Sequence, residues 1–393
     1  MIEVPANPHR HLLLYEPRTE GHHLGWLRFI AEDLLSANFR LSVAADLRPG
    51  ARERVEQNLA GLPGEVKLFS AYDETGRRHL NGKARSIAHC LQTSGAENIF
   101  LCALDEIASH CWRGATFGLR PPAELRGHMG GIYHRPRFLA APKHSLDRAL
   151  KLPGFQRLLR KDWWRQLLFV DEFLAAELQS DYPSSPVFFL PDPCPPGYDG
   201  DALAARTQLK ILPDRKVFLF YGTGARRKGL HLAVEAFLQL PPESPAFLLC
   251  AGRQNPAGKT AAGLAQLVRQ NRARLLDRYV TVEEEKLCFA VSDAVLLPYL
   301  NHFGTSGVLS RAMSAARPVI TADEQLLGRL TREHKLGLVF PSGDVSALRD
   351  CLRRVAQFSP AETATFAAAA GKYAGIYSRA AFRAALLRSL AVT

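Results

Sequence analysis

The stretch Ala294–Ile320, AVLLPYLNHFGTSGVLSRAMSAARPVI, decides the fold. It opens with an unbroken apolar run ending at Tyr299, crosses a loop of small residues and glycines, enters a helix, and closes on a second apolar run. Apolar runs without polar alternation suit parallel strands covered on both faces. Thr305 or Ser306 is placed to cap the helix. Gly304 and Gly307 allow close approach of a ligand to the backbone. The helix start, Ser306 to Val308, offers N–H groups and a positive dipole end to an anion, against the plainer reading of an ordinary capped helix. Arg311 stands in the middle of that helix.

The same pattern repeats outward in both directions. In the first half the expected strands are HLLLYEP (from His11), LSVAAD (Leu41), VKLFSA (Val66), NIFLCAL (Asn98), GGIYH (Gly130), QLLFVD (Gln166) and PVFFLPD (Pro186). In the second half they are KVFLFYG (Lys216), PAFLLCAG (Pro245), RYVTVE (Arg278), AVLLPY (Ala294), RPVITAD (Arg317) and LGLVFP (Leu336). Helical stretches separate them, which predicts an α/β chain of two doubly wound, Rossmann-like domains facing across a cleft. The proline- and glycine-rich PDPCPPGYDGD, Pro191–Asp201, continues neither strand nor helix and reads as the linker. The expected domains are 1–191 and 192–371, with 372–393 a helix packing back across a domain surface.

A chain of 393 residues with 47% hydrophobic content is ample for two cores. The absence of an apolar run of about 18 residues argues against a membrane-spanning helix, and the first residues lack the basic-then-apolar order of a signal peptide. Seven scattered cysteines without a CxxC suggest reduced core thiols and a cytoplasmic protein. A formal charge of +12 points to an anionic partner, phosphorylated or membranous, or to simple solubility. Charge is spread along the chain and no nucleic-acid motif occurs, so nucleic acid is the weakest of these.

A second loop of the same kind lies at YGTGARRKGLHLAVEAF, Tyr221–Phe237. A strand ends at Gly222, Thr223 begins a glycine loop, and Lys228-Gly229 opens a helix. With Arg226, Arg227 and Lys228, the helix start suits a diphosphate. The plainer alternative is a solvated basic turn.

From Lys216 to Cys351 these motifs resemble, in order and spacing, the donor-binding domain of the group 1 glycosyltransferases, which have the GT-B fold. The matching residues are Gly222 six positions before Lys228-Gly229, Gly252 closing a strand, LLPY ending at Tyr299, RAMSAARPVI from Arg311, and GLVFPSGDVSALRDCL from Gly337. The resemblance implies a retaining transferase taking a UDP- or GDP-linked sugar, with no resident cofactor. A glycan or lipid-linked saccharide would be the hydroxyl acceptor, in polysaccharide or glycolipid synthesis. The implied donor site takes in Gly222, Thr223, Arg226, Arg227, Lys228, Gly252, Tyr299, Phe303, Gly304, Thr305, Ser306, Gly307, Val308 and Arg311.

Three departures stand out. Family members carry two glutamates separated by seven residues; aligned on AM…PVI the corresponding positions are Phe303 and Arg311, and aligned on FG the first falls on Asn301. The arginine common after the first glycine is replaced by Thr223, with Arg226 or Arg227 as substitutes. Arg311 either faces the cleft toward phosphate or an acidic sugar, or is solvated. Glu283 to Glu285 in VEEEK read as the acidic first turn of the next helix. Loss of the glutamates supports an alternative, a non-catalytic binding or partner protein.

The first half is the expected acceptor side. Gly21 and Gly25 give a tight loop, and His22 and His23 reach toward the cleft. No further spacing makes the histidines a metal site. His134 follows the GGIY strand, where the family often has a histidine beside the donor sugar; it is the first candidate catalytic residue, with Lys228 and Asp105. Asp105 either binds an acceptor hydroxyl or caps a helix. The DxD of Asp199 and Asp201 lies in the linker and reads as a turn, which leaves a metal-independent mechanism. Residues 143–168 mix basic residues with Phe155, Trp163 and Trp164. They suit an acceptor sugar or peripheral contact with an anionic membrane, or a basic surface helix with buried aromatics.

Overall fold

A computed structural model describes residues 10–20, 23–79, 82–142, 144–198 and 200–391. The chain divides into two compact units, one of residues up to Pro191 together with those from Phe382, the other Asp192–Ala381.

The first unit is built on a seven-stranded parallel sheet: β1 His11–Glu16, β2 Arg40–Ala45, β3 Val66–Ser70, β4 Asn98–Leu101, β5 Met129–Tyr133, β6 Trp164–Phe169 and β7 Val187–Phe189. Their order is β3-β2-β1-β4-β5-β6-β7. Its helices are α1 His23–Leu35, α2 Arg52–Leu59, α3 Lys83–Ser94, α4 Asp105–Thr116, α5 Arg137–Ala140, α6 Leu146–Leu159 and α7 Glu172–Asp181.

The second unit has six parallel strands: β8 Lys216–Tyr221, β9 Ala246–Ala251, β10 Ala273–Leu276, β11 Ala294–Leu297, β12 Val319–Ala322 and β13 Gly337–Phe340. Their order is β10-β9-β8-β11-β12-β13. Its helices are α8 Ala202–Gln208, α9 Leu230–Leu238, α10 Gly258–Arg269, α11 Val282–Val291, α12 Gly307–Ser314, α13 Gln325–Glu333, α14 Val345–Ala356 and α15 Pro360–Ile376.

The strands lack alternation because helices cover both faces: every residue of β1, β4, β9, β11 and β12 is buried. Twelve of the thirteen expected strands form where the apolar runs lie. RYVTVE does not. The strand is β10, and Thr281 instead caps α11 in a capping box with Glu284, a T-x-x-E start signal that outweighs the β-branched run.

The terminal segment does not begin at 372, because α15 runs through that position within the second unit. The last helix, α16 Arg379–Ala391, returns to the first unit. Phe382, Leu386 and Leu390 enter the core formed with Trp26, Leu27 and Ile30, with the Phe382 ring edge-on to Trp26 at 5.4 Å. Each buried side chain of this size contributes roughly 1.5–3 kcal/mol, which fixes the return.

In each sheet the winding direction reverses once, between β1 and β4 and between β8 and β11. Ligands of such sheets bind beyond the carboxyl ends of the strands at that reversal. The two glycine loops of the second unit follow β8 and β11, the pair flanking its reversal.

Candidate functional site

The loop after β8 is shaped by two glycines. Gly222 has φ 105°, and a Cβ built there would lie 2.6 Å from Lys228 Nζ, so the missing side chain is the space the ammonium occupies. Gly229 has φ 76° and sits against the Pro298 carbonyl, which joins this loop to the one after β11. Lys228 ends a short 3-10 turn, Arg226–Lys228, and Gly229 is the N-cap of α9. Gly252, ending β9, lies against the Gly222 carbonyl. Thr223, Arg226 and Arg227 are exposed.

Lys228 is half-buried, with Nζ 5.7 Å from the centre of the buried Tyr299 ring. No carboxylate pairs with it among the described residues. Burial, then the charges of Arg227 and Arg311, push its pKa down to about 8.

After β11 the chain turns through Asn301, φ 51°, and Gly304, φ 98°. His302 stands edge-on to Tyr299 at 5.0 Å and 3.4 Å from an Arg227 nitrogen, and Phe303 beside it is half-buried. Of the two cap candidates, Ser306 caps α12, its hydroxyl accepting from Val308 N at 3.2 Å. The Thr305 hydroxyl instead donates to Asp192 at 2.7 Å, tying the loop to the start of the unit. Gly307 is exposed at the helix start. Ser306→Ala is expected to cost about 1 kcal/mol, read as a lower denaturation midpoint with the slope unchanged.

Arg311 is partly exposed and paired with a carboxylate. Its Nε donates to Glu285 Oε1 at 2.9 Å, and its Nη1 donates to the Gly307 carbonyl at 3.0 Å. Glu283 and Glu284 do form the acidic first turn of α11, but Glu285 turns inward and also accepts from the hydroxyls of Tyr198 and Tyr221. Burial opposes its ionisation, yet these donors and Arg311 hold its pKa below the usual carboxylate value. Glu285, Tyr198 and Tyr221 were not legible as a group, because they meet from three separate segments.

In the first unit, His134 follows β5 and its Nε2–H donates to the Cys102 carbonyl at 2.9 Å, which fixes the tautomer. Trp26 packs edge-on against its ring at 5.0 Å. Asp105 accepts from the backbone N–H groups of His134 and Arg135, both at 2.9 Å. It is therefore neither a helix cap nor aimed at a ligand; it shapes the turn that carries His134. His23 Nδ1 lies 3.0 Å from the buried carboxylate of Glu16. Close by in the chain, Glu106 binds Arg18 at 3.2 Å and Arg78 at 2.8 Å. Gly21 and His22 lie outside the described residues, as do Lys143 and Asp199.

Two expectations are corrected. Trp163 and Trp164 are each 5% exposed, and Trp164 packs on Trp112 at 5.2 Å, so neither indole is presented to a sugar or a membrane. Three of the basic residues between them and α5 bind the protein itself, Arg157 donating to the Ala115 carbonyl, Arg148 to carbonyls of α5 and Lys151 pairing with Asp147, while Arg160 and Lys161 are exposed. Asp201 caps α8 through the N–H groups of Leu203 and Ala204. Among the described residues no helix is long and apolar enough to cross a membrane.

Residues 215–357 match the family described as glycosyl transferases group 1. No curated protein matches the chain significantly. Among solved structures, HepE from Anabaena, in complex with UDP, superposes with a TM-score of 0.71 at 15% identity, covering 98% of this chain and 100% of that one. WaaG, a glycosyltransferase involved in lipopolysaccharide biosynthesis, gives 0.62 at 16% identity, covering 98% and 99%. TarM from S. aureus, in complex with fondaparinux, alpha-GlcNAc-glycerol and UDP, gives 0.63 at 9% identity, covering 97% and 99%. At these identities the structures speak for the fold, and the family match speaks for the second unit. Over residues 215–357 the second unit is therefore similar to the group 1 glycosyl transferases, and the chain has the GT-B fold of two Rossmann-like units.

Proposed function

We propose that the second unit binds the diphosphate of a UDP-linked sugar and that the chain transfers this sugar to a hydroxyl of a glycan or lipid-linked acceptor. The single observation that carries this reading is Lys228, a half-buried cation that no carboxylate among the described residues pairs with, in the loop after β8. The start of α12, where Ser306 caps the Val308 N–H, adds the positive end of a helix on the adjoining loop. The base is chosen from HepE and TarM, both named in complex with UDP.

Departure of UDP from the anomeric carbon builds charge on its terminal phosphate. Lys228, Arg311 and the α12 start are preorganised for that charge, and stabilising it where it develops lowers the barrier. Cations and a helix end suffice for this role, so the mechanism is metal-independent. The family match supports retention of configuration. The first unit is the acceptor-binding unit, with His134 directly after β5 and His23 at the start of α1 as its candidate contacts.

Calorimetric titration with UDP, GDP and ADP tests the reading. UDP is expected to bind and the others to bind at least about tenfold more weakly, a difference of 1.4 kcal/mol. A folded protein that binds no nucleoside diphosphate would overturn it.

A further inference from the structure

The Arg311–Glu285 pair does more than neutralise two charges. Four features of its geometry bear on this. Glu285 is held at three points, by hydroxyls on Tyr198 and Tyr221 and by Arg311 Nε. Its side chain is only 13% exposed, while that of Arg311 is 35% exposed. Tyr221 is the last residue of β8 and directly precedes Gly222, the glycine that makes room for the Lys228 ammonium. The rings of Tyr198 and Tyr221 both pack on Phe289, at 5.3 Å and 5.2 Å, so the hydroxyls are fixed by the core beneath them.

The tether therefore ties the α12 guanidinium to the strand end beside Lys228. Its remaining contact, with the Gly307 carbonyl, keeps the side chain along the first turn of α12 instead of swinging free. Arg311 and Lys228 lie close enough for the arginine's charge to act on the lysine. Arg226 and Arg227, by contrast, are exposed on the turn, without such a tether.

We propose that Glu285, anchored by Tyr198 and Tyr221, is a positioning residue that holds Arg311 beside Lys228 as the second diphosphate-binding cation of the site. This rests on the donor reading above and adds to it: the carboxylate does not contact the nucleotide, and the guanidinium does. A planar guanidinium offers two parallel N–H donors to a phosphate, which an ammonium cannot. Held in one orientation, it loses little freedom on binding.

The charge on Glu285 supplies a test of sign. A carboxylate that only neutralised Arg311 would weaken anion binding, and its removal would tighten it. A positioning carboxylate has the opposite effect. UDP, UMP and inorganic pyrophosphate are titrated into the full-length protein and into Glu285→Gln, Tyr198→Phe/Tyr221→Phe, Arg311→Lys and Lys228→Met, with melting temperatures measured alongside.

The expected result is that UDP and pyrophosphate bind at least fivefold more weakly to Glu285→Gln and to the double tyrosine variant, which keeps every charge, and at least tenfold more weakly to Arg311→Lys. UMP, with one phosphate, should lose less than UDP in each. Loss in Lys228→Met with unchanged or tighter UDP binding in Glu285→Gln and the tyrosine variant would overturn the positioning role and leave the donor reading standing. A folded wild type binding neither UDP nor pyrophosphate would overturn both.

Discussion

Replacing Lys228 with methionine is expected to weaken UDP binding by about 10- to 100-fold, the equivalent of one charge-assisted hydrogen bond of roughly 1.5–3 kcal/mol. The same change should make the unliganded protein more stable at neutral pH. Both follow from one fact: the ammonium is held partly away from water, beside Arg227 and Arg311, with its pKa lowered to about 8 from the usual 10.5. The sign runs as linkage requires. Folding lowers the pKa, so below pH 8 the folded state bears the full cost of a charged lysine there. That cost is relieved as pH rises from about 8 toward 10.5, and a methionine removes it at every pH. Binding has the opposite sense, since the diphosphate needs the protonated form. UDP affinity of the wild type should be highest below pH 8 and fall above it, approaching tenfold per pH unit, while the methionine variant stays flat from pH 7 to 9.5. The last phosphate ionisation, near pH 6, lies outside this window. Titrations at four pH values and a melting curve at pH 7 check the three statements. A wild-type affinity independent of pH between 7 and 9.5 would remove Lys228 from the phosphate site.

The second large effect is expected at Gly229. Its φ of 76° lies in the left-handed region, and a methyl there would press on the Pro298 carbonyl at the end of the neighbouring strand. Gly229→Ala thus combines a backbone penalty of about 1–2 kcal/mol with a contact that only separation of the two loops relieves. We expect a loss of about 3 kcal/mol or more, near the upper end for single substitutions, together with loss of UDP binding in whatever fraction stays folded. Gly258 is the control: its φ is 55°, but a Cβ there meets nothing within 4 Å, so Gly258→Ala should incur the backbone penalty alone and keep UDP affinity. Equal stabilities for the two alanine variants would mean that the packing of the two loops contributes nothing.

The apolar runs and the linker were sufficient to place twelve strands and the break near Pro191, because a strand buried on both faces leaves a local mark. Where local signals competed, the wrong one was chosen: the β-branched residues of RYVTVE concealed a capping box, and β10 came from a stretch that looks helical. The Gly222–Lys228 loop and the Ser306-capped start of α12 were legible because each lies within a single short segment.

What only the tertiary structure decided is where side chains go once segments meet. Trp163 and Trp164 looked like a surface motif beside basic residues. Both are buried, Trp164 against Trp112, and Arg148 and Arg157 bind carbonyls that the sequence does not mark as needing partners. Asp105, a strand-end acid, became the organiser of a turn 29 residues away. Arg311 at a position where the family has glutamate read as a defect. Its carboxylate stands 26 residues earlier, on α11, and the tyrosines that hold that carboxylate come from the linker and from β8. A hydrogen bond has no period and no fixed spacing along the chain. Sequence alone therefore determines which stretches must be buried, and the fold determines which polar groups those stretches bring within reach of one another.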